Sequence, residues 1–252
     1  MNFTELKEFL DFKAEEYNSP QFIESDPIQL PHRFSKKEDI EITSFLVSTI
    51  AWGNRKSIIK SGEKLLEIMQ NNPFDFIQNY KDKVAKDLKF VHRTFNTIDL
   101  DFFFRSLQNI YQKGGMEKAF SPHPTLFGSQ GRIVQFRNTF LETEHLDRSQ
   151  KHISNPEKNS AAKRINMFLR WMVRNDQKGV DFGIWNSIQT SELSIPLDVH
   201  TSNISRKLNL ISRKQNDGKA LEELMINLRE FDPVDPSKYD FALFGLGAFE
   251  KF

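Results

Sequence analysis

Residues 163–174 read KRINMFLRWMVR, and the spacing of apolar side chains in this stretch predicts an amphipathic helix. At about 100° per residue, one face collects the apolar side chains of Ile165, Phe168, Leu169 and Met172. The opposite face collects Lys163, Met167, Arg170 and Arg174 within a narrow arc. Taken by itself, this geometry favours a helix whose basic side is solvated.

The same helical period extends over most of the chain, and no stretch shows the sustained alternation of a β-strand. The sequence therefore predicts an all-α protein of about ten helices. The better-defined helices are expected at about 99–112, 130–141, 162–174, 199–209, 219–231 and 237–247. Earlier helix starts are indicated by a capping-box pattern at Ser35 and Glu38, a candidate cap at Asn54, and the pair Asn72-Pro73.

Composition excludes several classes of protein. The 252 residues carry 35 Lys and Arg against 34 Asp and Glu, and this net charge of +1 excludes a strongly basic, histone-like chain. The absence of cysteine excludes disulfides, thiolate catalysis, zinc–thiolate sites and iron–sulfur clusters. The six histidines form no HxxxH or HExxH pattern, so we predict no catalytic metal. Because no 18-residue apolar run or leader pattern occurs, we expect a cytoplasmic protein that binds no membrane.

A second informative stretch is IPLDVHT at 195–201. Asp198 follows Pro196-Leu197 and precedes a predicted helix with Ile204 and Leu208 on its inner face. An Asp at this position is a typical N-cap, because its carboxylate accepts hydrogen bonds from the first free N–H groups of the helix. Capping is the commoner role of such an Asp, so this residue alone does not indicate catalysis.

Together with its neighbours, this stretch resembles part of the helix-hairpin-helix DNA glycosylases. PLDVHT, followed by a helix with RKL, is similar to their catalytic Asp segment and so implies that Asp198 is catalytic. In bifunctional members a Lys begins the second hairpin helix, and Lys163 in NSAAKRINMF occupies that place. The 35-residue spacing of Lys163 and Asp198 is similar to that in archaeal 8-oxoguanine glycosylases. KYDFALFGLG at 238–247 looks like the end of the same group.

More extensive motifs identify the chain as a member of a bacterial family of unknown function. These motifs are KRINMFLRWMVR, VDFGIW at 180–185, PLDVHT and YDFALFGLG. The relation of this family to the glycosylases implies an all-α, two-lobed helix-hairpin-helix fold. We therefore expect residues 1–252 to form a single domain, with one lobe at about 40–160 and the other at about 1–39 plus 161–252.

The resemblance implies a base-excision repair enzyme, a glycosylase and lyase that removes an oxidised purine such as 8-oxoguanine. Lys163 is expected to attack the anomeric carbon and form a Schiff base, while an ionised Asp198 stabilises the developing positive charge. The N-terminus of a helix suits both roles, because its dipole disfavours a protonated amine and favours a carboxylate. The implied partner is double-stranded DNA with a damaged base, bound by a monomer without a cofactor.

Further side chains are candidates for holding such a DNA. The candidate DNA-contacting residues are Asn54, Arg55, Lys56, Arg164, Arg170, His200, Arg206 and Lys207. The candidates for stacking on an extruded base are Trp52, Trp171, Trp185 and Phe182. Each aromatic also fits a role in core packing, Asn54 also fits a helix cap, and a basic run also fits a solvated face.

Two other functions stay open at this point. In the glycosylases, amides of a Gly-containing hairpin hold a phosphate, and the corresponding stretch Asn155–Ala162 contains no glycine. That difference favours a non-catalytic DNA-binding protein, or an enzyme that acts on a nucleoside or an RNA base. The pairing of Lys163 with Asp198 favours catalysis on DNA.

Overall fold

The computed structural model describes residues 1–81, 87–250 and 252, and these residues are mostly helical. The α-helices are α1 (Phe3–Tyr17), α2 (Pro20–Ser25), α3 (Lys37–Thr49), α4 (Arg55–Ile68), α5 (Pro73–Gln78), α6 (Thr97–Gln112), α7 (Met116–Ala119), α8 (Gly128–Phe140), α9 (Lys163–Val173), α10 (Val199–Lys207), α11 (Gly218–Phe231) and α12 (Tyr239–Gly245). A π-helical turn, Leu246–Glu250, follows α12, and two short strands, β1 (Val91–His92) and β2 (Phe95–Asn96), pair antiparallel. The architecture is all-α, as predicted, and none of the described helices is long and apolar enough to cross a bilayer.

Two of the predicted helix starts have different outcomes. Asn54 caps α4 as predicted, because its Oδ1 accepts a hydrogen bond from the N–H of Lys56 at 3.0 Å. The capping box predicted at Ser35 and Glu38 is wrong. Helix α3 begins after Lys36, so Ser35 lies one residue before the cap position, and no side chain caps this end. Residues 39–49 of α3 are buried, and tertiary packing of this kind overrides a local capping signal.

Helix α5 begins at Pro73, as the pair Asn72-Pro73 predicts, but its cap comes from elsewhere in the chain. The side chain of Asn72 makes no capping hydrogen bond. Instead, Oδ1 of Asp39, in the first turn of α3, accepts the N–H of Phe74 at 2.8 Å. This contact joins α5 to α3 and satisfies one of the free N–H groups of α5.

Helix α9 is buried on its basic side as well as on its apolar side. The apolar face packs against α3, and Arg170 and Arg174 are each only 3% exposed. The solvated basic side predicted for this helix is therefore wrong at these two positions. Both guanidinium groups pair with Asp181, which comes from the connector after α9 and supplies the charge that their burial requires.

Two apolar clusters form the interior of the described chain. The larger cluster draws its side chains from Ile28 to Leu193 and includes α3, α6, α8 and α9. The smaller cluster joins α1 and Ala161 to side chains from Ile195 to Leu246. Apart from Ala161, the two clusters divide near residue 194, and the predicted lobes, which divide at 161, stay a prediction. The difference arises because α9 packs on α3 and so belongs to the larger cluster.

Candidate functional site

One cavity, here called the central cavity, lies where helices α4, α9 and α10 begin. Its volume is about 550 Å³, and its walls also include the segment after α2, the loop before α4 and the end of α12. Lys163 and Asp198 both line it. The fold therefore brings the two residues that the sequence singles out to one cavity, while their catalytic roles stay predictions.

Lys163 is the first residue of α9 and is half-buried. The preceding Ala162 has a left-handed conformation (φ 46°, ψ 36°) and no side chain that can cap the helix. The backbone N–H of Ala162 donates to Ser160 Oγ at 3.2 Å, whereas no described residue accepts a hydrogen bond from the backbone N–H of Lys163. Among the described residues, no carboxylate or other acceptor pairs with Lys163 Nζ either. The amine is therefore available to a ligand.

Asp198 caps α10, and this part of the sequence prediction is confirmed. Its Oδ1 accepts the N–H of Thr201 at 2.8 Å, and the residue is half-buried. The positive end of the helix dipole stabilises a carboxylate placed there. The local sequence thus holds a carboxyl group at the wall of the central cavity.

Two further carboxylates, which the sequence analysis did not single out, also line the central cavity. Asp240 of α12 is 5% exposed, and burial raises its pKa to about 7 although the Arg170 guanidinium lowers it. Asp26, before a short 3-10 turn, accepts the N–H of Ile28 at 3.0 Å, and burial raises its pKa as well. An Asp within the apolar motif YDFALFGLG is the signal that could have indicated Asp240, because a buried Asp needs a partner.

Arg170 supplies that partner, and this corrects its prediction as a DNA contact. The guanidinium donates to Asp240 and lies 3.2 Å from Asp181, with the ring of Phe241 at 4.3 Å. It is buried and pairs with two carboxylates, so it is not the solvated phosphate contact that the sequence predicts. Its role in this structure is to position Asp240 at the cavity.

Aromatic side chains form much of the remaining wall. Trp52 is half-buried, and the guanidinium of Arg164 lies 4.7 Å over its ring while donating to the Thr49 carbonyl oxygen. Burial lowers the pKa of Arg164 to about 10. The structure adds three rings that the sequence prediction missed, namely Phe22, Phe244 and Phe249. Arg55 lies over two of them, 5.4 Å from the centre of Phe244 and 5.9 Å from that of Phe249.

The remaining predicted stacking residues lie deeper or elsewhere. Trp171 lines the central cavity although it is fully buried, and its Nε1 has no partner among the described residues. Trp185 lies in the larger apolar cluster and donates to Glu41 at 2.6 Å. Phe182 stacks on the ring of His32 at 4.3 Å. Neither Trp185 nor Phe182 lines the central cavity, so the stacking prediction is corrected for both.

The polar candidates fall into two groups. Asn54 and His200 are exposed and line the central cavity, and Lys56 is exposed in the first turn of α4. Arg206 instead donates to the carbonyl oxygens of Arg213 and Lys214 and to Asn216. It holds the loop after α10, and its role as a DNA contact stays a prediction. Lys207 is exposed, and its Nζ donates to the carbonyl oxygen of Phe252 at 2.6 Å.

A second cavity, here called the adjacent cavity, shares Trp52 and Lys163 with the central one and has a volume of about 450 Å³. Lys151 and Arg164 also line it, and its described lining includes no Asp or Glu. The uncapped first turn of α9 opens at this place. Basic side chains and free N–H groups at a helix N-terminus together favour an anion.

The glycine-free stretch that leads into α9 reaches the required turn without glycine. Pro156–Lys158 forms one 3-10 turn, which Asn155 caps through the N–H of Glu157. Asn159 and Ala162 then take the left-handed conformation that glycine adopts most readily (φ 62° and 46°). Asn tolerates this conformation, so the missing glycines do not prevent a tight turn here.

The comparison with protein families identifies the chain's relatives. A model of the family described as "Protein of unknown function (DUF2400)" matches residues 26–249. The chain belongs to this family. No curated protein and no solved structure matches the chain. The description of the family names no activity, so the relation to DNA glycosylases stays a prediction. Within the described part of the chain, no three or more His, Asp or Glu side chains are grouped to hold a metal ion.

Proposed function

We propose that this protein is a DNA glycosylase with lyase activity, in which Lys163 is the nucleophile and Asp198 stabilises developing positive charge. The observation that carries the proposal is that an unpaired, half-buried lysine amine and a helix-capping carboxylate line one aromatic-walled cavity. A lysine nucleophile needs its amine free of a fixed ion pair, and Lys163 Nζ has no such pair among the described residues.

The chemistry follows from these two groups. The lone pair of Lys163 Nζ attacks C1′ of an extruded nucleotide, and the bond from C1′ to the base breaks. Its electron pair leaves with the base, which takes up a proton, while positive charge develops on the sugar. The Asp198 carboxylate stabilises that charge. Opening of the sugar ring gives a Schiff base, and loss of a proton from C2′ then allows elimination of the 3′ phosphate.

The walls of the central cavity support a purine as the extruded base. Trp52 and Phe244 offer flat surfaces on which a base can stack, as extruded bases do in enzymes of this class of chemistry. Asp26 and Asp240 present acceptor oxygens to N–H groups on the base. We propose an oxidised purine, such as 8-oxoguanine, as the substrate.

The adjacent cavity supports DNA rather than a free nucleoside. It begins where the central cavity ends, at Trp52 and Lys163, and its lining is basic. A phosphate next to the extruded nucleotide would reach Lys151 and the open N-terminus of α9 there. A free nucleoside carries no phosphate to occupy this place.

Borohydride trapping tests the proposal, since the reagent reduces a Schiff base to a permanent adduct. Duplexes with 8-oxoguanine, other oxidised purines or an abasic site are incubated with wild-type protein, Lys163→Ala and Lys158→Ala. We expect an adduct with the wild type and none with Lys163→Ala. Lys158 is exposed in the turn before α9 and lines neither cavity, so its variant is the matched control and keeps trapping within about twofold.

Either of two results contradicts the proposal. An adduct that persists in Lys163→Ala assigns the amine to another residue. If the wild type traps no DNA, abasic DNA included, the Schiff base is excluded. Salt-dependent DNA binding without trapping then favours a non-catalytic DNA-binding protein.

A further inference from the structure

A separate cavity of this protein contains a deeply buried carboxylate. This cavity, here called the α3–α6 cavity, lies where α3 begins and α6 ends, and its volume is about 680 Å³. None of the described residues that line it lines the central or the adjacent cavity. A cavity of this size is typical of sites that bind small molecules. The proposed function gives it no role.

Glu41, in the second turn of α3, lines the α3–α6 cavity although only 2% of the residue is exposed. The indole N–H of Trp185 donates to its Oε1 at 2.6 Å, and the hydroxyl of Tyr111 donates to its Oε2 at 2.8 Å. Two neutral donors thus fix the carboxylate in one orientation. Each of its oxygens keeps a further lone pair for another donor.

The charge of Glu41 has no close counter-charge among the described residues. The nearest described cationic group is Lys37 Nζ, which lies 4.0 Å from Oε1 and donates to Glu117 at 2.6 Å. By contrast, the buried carboxylates of Asp99 and Asp181 contact guanidinium groups at 2.8 and 3.2 Å. Burial raises the pKa of Glu41. A buried carboxylate without such a contact gains more from a cationic ligand than a solvated one does.

The other charges of the lining leave an excess of negative charge. Two of the lining cations already have carboxylate partners, in the ion pairs Lys37–Glu117 and Arg132–Glu192. The side chains of Glu38 and Lys118 also line the cavity, and neither forms a described ion pair or hydrogen bond. Glu38 and Glu41 together thus face one free cation. A ligand with one positive charge balances this lining, whereas an anion would meet the buried carboxylate of Glu41.

The remaining wall of the α3–α6 cavity suits an apolar stem. Phe74, Tyr111, Met116 and Pro122 line it, and the rings of Phe74 and Tyr111 have their centres 5.1 Å apart. Aromatic rings attract cations through their faces, and Lys36 Nζ already lies 4.1 Å over the ring of Phe74. The wall is therefore compatible with a ligand that is both apolar and positively charged.

We propose that the α3–α6 cavity binds a small molecule with a guanidinium group on an apolar stem, and that Glu41 recognises this group. The planar guanidinium donates two parallel N–H bonds, one to each carboxylate oxygen, and an ammonium group lacks this geometry. Trp185 and Tyr111 hold the Glu41 carboxylate ready for that contact. The site is independent of the chemistry at Lys163.

Calorimetric titration of the wild type with butylguanidine, butylamine and butylurea tests this inference. The three compounds share one stem, and butylurea has the shape of butylguanidine without its charge. We expect butylguanidine to bind with a Kd below about 1 mM. Butylamine should bind about fivefold more weakly, because it lacks the paired donors, and butylurea at least about tenfold more weakly, because it lacks the charge.

Three variants assign the binding to Glu41. Glu41→Gln keeps the shape and removes the charge, and should weaken butylguanidine binding at least about tenfold. Tyr111→Phe keeps the ring but releases one carboxylate oxygen, and should weaken binding about threefold. Glu67→Gln removes an exposed carboxylate of α4 that lines none of the three cavities, and should leave binding unchanged. Circular dichroism checks the fold, and the comparison of ligands on the wild type stands even if Glu41→Gln does not fold.

Three results overturn the inference: no binding of butylguanidine up to about 10 mM, equal binding of butylguanidine and butylurea, or full affinity in a folded Glu41→Gln variant. Lys163→Ala, which should abolish trapping, should bind butylguanidine as the wild type does. The proposed function can therefore fail while this site stands, and the site can fail while the proposed function stands.

Discussion

Helices α9 and α10 both begin at the central cavity, yet their N-termini are built differently. Asp198 closes the start of α10 with its own carboxylate, which accepts the N–H of Thr201 at 2.8 Å. Helix α9 starts from a left-handed Ala162 without a capping side chain, and the amine of Lys163 stays unpaired among the described residues.

The difference shows how one cavity can contain both a carboxylate that is fixed in place and an amine that is unpaired. At a capped N-terminus, a side chain of the protein itself accepts a free N–H group of the helix. An acidic cap is thereby fixed at the positive end of the helix dipole. An uncapped N-terminus leaves its N–H groups and its positive end for a ligand. Three experiments test this contrast.

The largest expected effect comes from removing the charge of Asp198 while keeping its cap. Asn caps helices as well as Asp does, so Asp198→Asn should leave the free energy of unfolding within about 0.5 kcal/mol. It should nevertheless slow adduct formation about 100-fold, because the developing positive charge loses its counter-charge. Asp198→Ala should in addition lose about 1 kcal/mol of stability. Trapping rates and urea denaturation measure the two effects separately. Equal trapping by Asp198→Asn and wild type would limit Asp198 to capping.

A second effect concerns Asp240. Burial raises the pKa of its carboxyl group from 3.8 to about 7. Between these values the folded protein keeps a proton that the unfolded chain has lost. This group therefore stabilises the fold less as the pH rises from about 4 to about 7. In urea denaturation, the unfolding free energy of wild type minus that of Asp240→Asn should fall over this range and level off above it. A difference that does not change with pH contradicts the shift. The neighbouring charge of Asp198 also raises this pKa, so the capped end of α10 is electrostatically linked to α12.

The smallest effect is expected at the third helix that begins at the cavity, α4. Asn54 caps it through the N–H groups of Lys56 and Ser57. Asn54→Ala should lower the free energy of unfolding by about 1 kcal/mol, whereas Asn54→Asp keeps the cap and should change it little. Thermal or urea unfolding measures the difference. A similar loss in both variants would assign the effect to something other than capping.

The sequence predicts what depends on near neighbours along the chain. The caps at Asn54 and Asp198 need only residues two or three positions away, and both are confirmed. The helical pattern of 163–174 likewise predicts α9 to within one residue. Family membership also follows from sequence motifs alone.

The sequence does not predict what depends on distant partners. The basic face of α9 has the spacing of a solvated surface, but Arg170 is buried because Asp240 reaches it from 70 residues further along the chain. Trp185 has the composition of a stacking residue, yet its indole N–H is used by Glu41, 144 residues earlier. Helical periodicity gives the face on which a residue lies, and it carries no information about the charge that meets that face.

The position of Trp52 gives the protein an intrinsic optical signal. The chain has three tryptophans, and Trp171 and Trp185 are buried in the interior. Trp52 alone among them is part-exposed, and it forms the wall between the two cavities with a guanidinium over its ring. A molecule that enters either cavity therefore changes the polarity around this indole first. Emission of the unlabelled protein then reports occupancy directly, and it remains usable in variants that have lost all chemistry.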